Sequence, residues 1–444
     1  ARNPAAAAQL SSAQPASMAW RRLAGIAARG TQRRALALGA LASGGAALAA
    51  SSAEQRNAET GADESRRQLF AWGSNQFGQL GVSSLATDQF APQRVDEDLG
   101  IEPVSVSAFG EMSALHTVSD EVFGMGRSTH GSLGQGQAFD NLTIPAPIPS
   151  LCGKGVRSIA LGEFHHAAVD RSGAVWSAGR NWTGEIGREG DTTHTNKVDA
   201  PSGVTFTQVA CGKSFTAAVA SDGTLFTWGS GRQGVLGRGD TGEVAHKPTP
   251  VPSSSFGGEK VKAVACGQEL LVVLTESGKV FTCGNNDYFK LGLGASQQAR
   301  VVATPQLVPA LTREKVAHVD CGDYSWAAVT EDGKLFMCGR NADGQLGNGS
   351  KRDLGTPTQV KSFDGDIKKV CLVRCGGSHT MAVLDDGSLW VWGKGRNGQL
   401  GVADELESVA AYRTTPHKVT FFNGMKVVDI AAGRDHSLCV VESK

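Results

Sequence analysis

From Gln68 to its last residues the chain alternates short apolar runs with glycine-punctuated polar turns. In VACGKSFTAAVASDGTLFTWG, near Val209, one apolar run ends at Gly, a second leads into Ser-Asp-Gly, and a third ends at Trp-Gly. Apolar runs this short, bounded by turn residues, predict β-strands, and Asp-Gly suits a tight turn because Gly accepts positive φ. The passage returns as VACGQELLVVLTESGKVFTCG near Val264, VDCGDYSWAAVTEDGKLFMCG near Val319 and VRCGGSHTMAVLDDGSLWVWG near Val373.

A second phrase, an apolar strand and Gly followed by a turn closing on Leu-Gly, occurs seven times. It reads AWGSNQFGQLG at Ala71, GMGRSTHGSLG at Gly124, SAGRNWTGEIG at Ser177 and TWGSGRQGVLG at Thr227. It continues as TCGNNDYFKLG at Thr282, MCGRNADGQLG at Met337 and VWGKGRNGQLG at Val391. The anchoring glycines are Gly73, Gly126, Gly179, Gly229, Gly284, Gly339 and Gly393, spaced by 53, 53, 50, 55, 55 and 54 residues. With another short strand after prolines such as Pro248, Pro305 and Pro357, each unit supplies about four strands. This predicts an all-β fold: a seven-bladed β-propeller of four-stranded blades over residues 66–444. The first unit is the weakest, since SAFGEMSALHTVSDEVFGMG lacks the Asp-Gly turn. The last unit ends at HSLCVVESK with no third strand, and the chain's first unit begins with that missing strand, LFAW. Residues 68–72 are therefore expected to close the blade built by residues 417–442, which protects edges that an open array would expose.

Composition adjusts this picture at the N-terminus. Six arginines and no acid precede Glu54, the composition of an organelle transit peptide. Arg22, Arg29 and Arg33 share one side of a helical wheel, opposite Trp20, Leu23 and Ala27, and Met18 just before them offers a start site. Ala35–Ala53 is charge-free and long enough to span a bilayer, though Ala and Gly make it weakly hydrophobic. It reads as a membrane anchor, as the second half of a bipartite sorting signal, or as the tail of a cleaved presequence. The expected organisation is a targeting segment at 1–34, a weakly hydrophobic membrane helix at 35–53, a linker at 54–65 and the propeller; the extension as a whole is helical or disordered. With 40% apolar residues and zero formal charge, the whole chain is neither disordered nor a uniformly basic nucleic-acid binder.

Cys211, Cys266, Cys321 and Cys375 each precede the Gly of the first phrase in four successive units, a repeated small buried side chain and not a set of bonded partners. Cys283 and Cys338 take the slot filled by Trp72, Trp228 and Trp392 elsewhere. Neither disulfide geometry nor metal-ligand spacing follows from these positions. His165, His379 and His436 share a slot that other units fill with Phe215, Leu270 and Ser325, so they read as packing residues. Asn75, Asn181, Asn286 and Asn341 sit where an amide can bond turn backbone. Asp96-Glu97-Asp98 and Lys351-Arg352-Asp353 are expected to be solvated loops, and Val82–Val95 and Ala403–Pro416 are candidate binding loops. No phosphate-cradling, paired-carboxylate or nucleophile-elbow motif occurs, so no catalytic residue, cofactor or metal ligand is assigned.

The Trp-Gly-x-Asn-x-x-Gly-Gln-Leu-Gly and Cys-Gly-x-x-His-Thr phrases resemble the regulator of chromosome condensation repeat family. The resemblance covers the chain beyond its N-terminal extension; Kelch propellers have a similar period but carry a Gly-Gly pair and differently placed aromatics. It implies a protein-binding disc, with guanine nucleotide exchange on a small GTPase as the founding member's activity. That member inserts a wedge into one blade turn, whereas every interval from anchor Gly to Leu-Gly or Ile-Gly here has one length. A plant ultraviolet-B photoreceptor of the family clusters tryptophans in Gly-Trp-Arg-His-Thr motifs; here Trp326 alone lies at such a place. The expected function is a non-enzymatic scaffold: an accessory subunit or assembly factor of a mitochondrial membrane complex, associated with the inner membrane. Its partners would be other protein subunits, with membrane contact through residues 35–53 and no nucleic acid. Exchange activity on an organellar GTPase and a plastid location are the alternatives.

Overall fold

The computed structural model describes residues 66–83, 88–97, 99–136, 141–294, 297–363, 368–402 and 411–443. The targeting segment, the 35–53 span and the linker expected at the N-terminus lie outside these residues. The described chain folds into seven four-stranded antiparallel sheets. From axis to rim, blade one comprises Pro103–Phe109, Met112–Thr117, Val122–Gly126 and Leu142–Pro147. Blade two comprises Ser158–Leu161, His165–Val169, Val175–Gly179 and the short Asn196–Lys197. Blade three follows with Phe206–Cys211, Phe215–Ala220, Leu225–Ser230 and Val244–Pro250. Blade four has Val261–Cys266, Leu270–Thr275, Val280–Asn285 and Val301–Leu307, and blade five Val316–Cys321, Ser325–Thr330, Leu335–Gly339 and Leu354–Gln359. Blade six is Val370–Cys375, His379–Leu384, Leu389–Lys394 and Tyr412–Lys418. Prolines such as Pro145, Pro248, Pro305, Pro357 and Pro416 fall in outermost strands, where a missing N–H breaks no ladder and discourages edge pairing.

Blade seven joins the two ends of the chain. Its inner strands are Lys426–Ala432 and His436–Glu442; its outer strands are Arg67–Gly73 and Gln89–Arg94. The third strand runs antiparallel to the second in unbroken register from Arg67 opposite Glu442 to Gly73 opposite His436. The expected closing strand is thus in place, but two boundaries differ from the sequence reading. Tyr412–Lys418 pairs with Leu389–Lys394 and completes blade six, so residues 417–418 do not belong to the closing blade. Gln89–Arg94 is a second N-terminal strand lying inside what read as a binding loop, and Tyr412–Lys418 takes much of the other one. Residues 84–87 and 403–410 of those loops lie outside the described residues. Asp96 is likewise no solvated loop residue: it is wholly buried, accepts the Leu69 amide at 2.8 Å through Oδ1 and pairs with Arg94 at 3.2 Å. The closing strand needs that acceptor where the short rim strand has ended. In blade one, where the Asp-Gly turn is missing, Asp120 itself takes φ +62 and does what Gly does elsewhere.

The core lies between blades. Trp72, Trp228 and Trp392 are fully buried, each lying over the Gly of the preceding blade's Leu-Gly or Ile-Gly: Gly401, Gly187 and Gly347. A Cβ on those glycines would fall 2.7–2.8 Å from the indole nitrogen. Trp72 and Trp392 donate their Nε1–H to the carbonyls of Gln399 and Gln345 at 2.9 and 2.8 Å. In blade five the slot holds the smaller Cys338, and Trp326 from the neighbouring strand supplies the indole, donating to Lys290 O at 2.7 Å. Trp326 is therefore a core residue, not a surface chromophore. All seven innermost strands line one axial cavity of about 100 Å³.

Candidate interaction face

Each sheet presents its first-to-second and third-to-fourth strand turns at the same end of the propeller, and both repeated phrases build that end. The anchoring glycines all have φ between +100 and +121. A Cβ there would strike the backbone carbonyl of the blade's own inner turn, at 2.6 Å for Gly73 and Gly229 and 2.5 Å for Gly284 and Gly393. Gly126, Gly179 and Gly339 meet the carbonyls of Glu111, Phe164 and Tyr324 in the same way. The two turns of a blade can approach only because these positions lack side chains.

The Gly that follows four of the innermost strands has a related cause. A Cβ on Gly162, Gly212, Gly376 or Gly433 would collide with the ring of His165, Phe215, His379 or His436, which folds back over it. Three of those rings also latch neighbouring blades. Thr216, Ser437 and Ser113 donate to the carbonyls of Glu185, Gln399 and Gln79 at 2.8, 2.9 and 2.8 Å. Their oxygens remain free to accept from His165, His379 and His436 Nε2–H at 3.0, 2.9 and 2.8 Å. This assigns the Nε2–H tautomer and leaves each Nδ1 buried without a partner. Protonation would bury an unpaired N–H, and burial holds these histidines far below their ordinary value, to about 3, 4 and 3. They are neutral latches, poorly suited to acid–base work.

Cys211, Cys266, Cys321 and Cys375 are buried free thiols lining the axial cavity from four successive blades. Burial pushes all four up, Cys211 to about 12, so none carries the thiolate that reactivity requires. Among the described residues, no group of three or more His, Cys, Asp or Glu side chains is placed to hold a metal ion.

The Asn of the outer turn accepts the Leu or Ile amide ahead of the closing Gly: Asn75 from Leu80 at 3.1 Å, Asn181 from Ile186 at 3.3 Å, Asn286 from Leu291 at 3.2 Å and Asn341 from Leu346 at 3.0 Å. The residue at the Gln position of Gly-Gln-Leu-Gly then sets the turn's shape. Gln79, Glu185, Gln345 and Gln399 accept the amides of Phe77, Thr183, Asp343 and Asn397 at 2.8–3.0 Å. Where that position is Ser132, Val235 or Lys290, the acceptor is missing and His130, Gln233 or Tyr288 turns to φ +62 or +63.

Charged residues of both signs occupy the turns of this face. Arg434 crosses the axis from blade seven, binding Glu111 at 2.8 Å, Glu163 at 3.2 Å and Asp323 at 3.5 Å in blades one, two and five. Those carboxylates hold its guanidinium above its ordinary value despite burial. Further out are two arginine–aromatic clusters. Where blades seven, one and two meet, Arg127 stacks on Phe77 and Phe164, and Arg180 on Phe164 and the exposed Trp182. Both arginines are also paired, with Glu111 at 3.1 Å and Glu185 at 2.9 Å. In blades four and five, Arg340 lies 5.4 Å from the rings of both Tyr288 and Tyr324. None of these residues stood out in the sequence; the signal was the variable pair after each Cys-Gly, which becomes meaningful once the turns are placed side by side.

Residues 140–444 match the family model described as the RCC1-like domain, and residues 68–115 match the regulator of chromosome condensation (RCC1) repeat. The chain belongs to the RCC1-like propeller family. The Arabidopsis thaliana ultraviolet-B receptor UVR8 is 36% identical over 341 residues, covering 76% of this chain and 75% of UVR8. The mitochondrial RCC1 domain-containing protein RUG3 of Arabidopsis thaliana is 30% identical over 407 residues, 84% of this chain and 88% of RUG3. Among solved structures, Saccharomyces cerevisiae Prp20p, studied for its binding to Gsp1p and histones, superposes with a TM-score of 0.73 at 21% identity. That match covers 86% of this chain and 93% of Prp20p, and it shows the shared fold.

Proposed function

We propose that this RCC1-like propeller is a non-enzymatic scaffold, an accessory subunit or assembly factor of a mitochondrial membrane protein complex. The observation that carries it is the turn face: blades locked by buried latches hold exposed aromatic and charged side chains in fixed positions, with histidines and thiols held in unreactive forms. The mitochondrial assignment draws on the likeness to RUG3 and on the arginine-rich, acid-free N-terminus. Residues 35–53 would supply the membrane contact; among the described residues no helix is long and apolar enough to cross a bilayer.

The test is purification of the tagged full chain from membranes of isolated mitochondria. Co-purification of a fixed set of subunits supports the reading, and an extramitochondrial location or a chain free of partners overturns it. Nucleotide exchange, the activity of the repeat family's founding member, is the competing function. Release of fluorescent nucleotide from an organellar small GTPase by substoichiometric protein would establish that activity instead.

A further inference from the structure

The outer turn of blade four combines three departures from the repeat, the first found in no counterpart and the other two shared in kind with blades one and three, where His130 and Gln233 are left-handed and Ser132 and Val235 replace the Gln. Gly78, Gly131, Gly184, Gly234, Gly344 and Gly398 hold one position at φ +72 to +83; in blade four it is Phe289, at φ +54. The residue before it, Tyr288, is also left-handed. Elsewhere a Cβ at this position would run into the neighbouring blade, at Thr143 for Gly78 (2.6 Å) and Ala303 for Gly234 (2.6 Å). Phe289 is accommodated because it faces Gly355, a residue with no Cβ of its own. Two consecutive left-handed aromatics carry a conformational cost of about 1–2 kcal/mol each. Burial does not offset it, since Tyr288 is 44% and Phe289 46% exposed. Strain held at an exposed site without packing gain points to a role in contact with something outside the chain.

The third departure is Lys290. It replaces the Gln of the repeat, is 2% exposed as a residue, and its ammonium has only the ring of Tyr324, 5.7 Å away, as a close partner. Glu269, Asp287 and Asp323 act on it from farther off, but Asp287 is engaged by Arg300 at 2.9 Å and Asp323 by Arg434 at 3.5 Å. Burial still holds the ammonium below its ordinary value. The residue is almost wholly enclosed, while Tyr288 and Phe289 beside it are exposed. Beside it, the Arg340 guanidinium is held between Tyr288 and Tyr324, themselves edge-to-face at 5.9 Å, and has neither a carboxylate nor a side-chain hydrogen bond. The cluster where blades seven, one and two meet has the same arginine–aromatic build, but its cations are neutralised internally.

We infer that Lys290 and Arg340, walled by Tyr288, Phe289 and Tyr324, anchor a carboxylate side chain from an acidic segment of a partner protein. The inference rests on the scaffold reading and names where one partner is held. A fixed guanidinium offers a carboxylate two parallel hydrogen bonds, the ammonium adds a third donor, and the tyrosine rings shield the contact from water. The Arg340 guanidinium, with no carboxylate partner, gains more from an incoming anion than an arginine already paired.

Isothermal titration of the full chain with amidated hexaglutamate tests this, with hexalysine and inorganic phosphate as comparison probes. The expected result is saturable one-to-one hexaglutamate binding, weakened roughly tenfold or more by Arg340→Gln and by Lys290→Gln, as loss of a charge-assisted contact requires. Arg180→Gln, in the internally paired cluster, should bind as the native chain does, and circular dichroism would verify that each variant is folded. Absence of saturable binding, equal weakening by Arg180→Gln, or phosphate competing at concentrations equal to the peptide would each overturn the inference. Capture of mitochondrial subunits separates it from the scaffold reading. Native-like capture by Arg340→Gln would reject this anchor and leave the scaffold standing; failure of the native chain to capture any subunit, with peptide binding intact, would reject the scaffold.

Discussion

Acidification should destabilise the propeller through histidines that cannot accept a second proton where they sit. His165, His166, His379 and His436 are fully enclosed and are held at about 3, 4, 4 and 3, against 6.5 for an ordinary histidine. The unfolded chain therefore binds protons between pH 6.5 and 4 that the folded chain refuses. The stability these groups contribute is full above 6.5 and falls as pH drops toward 4. At about pH 5.5 each site costs roughly 1–2 kcal/mol, and the four together about 5 kcal/mol. Asp320 works the other way: burial raises it to about 6, so its folded form gains protons first. It returns roughly 1 kcal/mol at that pH, and Asp429 and Asp323, also raised by burial, act in the same direction. The net loss between pH 8 and about pH 5.5 is then some 4–5 kcal/mol, a large part of the ~5–15 kcal/mol that holds a folded domain. Urea midpoints at fixed temperature across that range would measure it. His379→Phe sharpens the test, because blade three already has Phe215 in this slot and Ser437 keeps its bond to Gln399 O. That variant should shrink the pH-dependent loss by about 1–2 kcal/mol. Stability that is flat or rising toward acid, or a His379→Phe chain with the native pH dependence, would refute the neutral-latch account.

Trp72→Ala removes the fully buried indole of the closing strand and its bond to Gln399 O, and should cost about 3–5 kcal/mol by denaturant titration. Gly433→Ala drives a methyl group into the His436 ring and should lower the melting temperature by several degrees, about 1–3 kcal/mol for overpacking. Alkylation of the native chain followed by mass spectrometry should label the exposed Cys371 and the half-buried Cys152 and spare Cys211, Cys266, Cys321 and Cys375; a disulfide between any two of these four would contradict their assignment as inert lining. Phe289→Gly should raise stability by up to about 1 kcal/mol, the left-handed penalty less the added chain entropy of Gly, while weakening hexaglutamate binding.

The blade count and the closing strand were legible because both rest on local pattern: apolar runs, turn glycines and a repeat that stops one strand short. The buried role of Asp96 was not, because its partner is the Leu69 amide, left over only once a distant strand has paired. Gln89–Arg94 carries the outward, polar composition of a rim strand and so looked like a loop. The anchor at Lys290 was hidden for another reason. Its members come from turns about 35 and 50 residues apart, and its meaning depends on what equivalent turns have and blade four lacks. A left-handed Phe is no anomaly in sequence; beside six left-handed glycines and a facing Gly355 it becomes one.

The pairing of Arg67–Gly73 with His436–Glu442 has a consequence for how the chain is made. During synthesis Leu69–Trp72 emerges before blades one to six, and the strand that will cover it is translated after them. Until then an apolar segment waits on a nascent chain whose blades one to six can already have formed. Joining ends some 370 residues apart also carries the loop-closure entropy of almost the entire propeller, which slows the last step more than any hairpin before it. A ribosome stalled before His436 should therefore display a compact, protease-resistant six-bladed arc with its first strand still open to a chaperone.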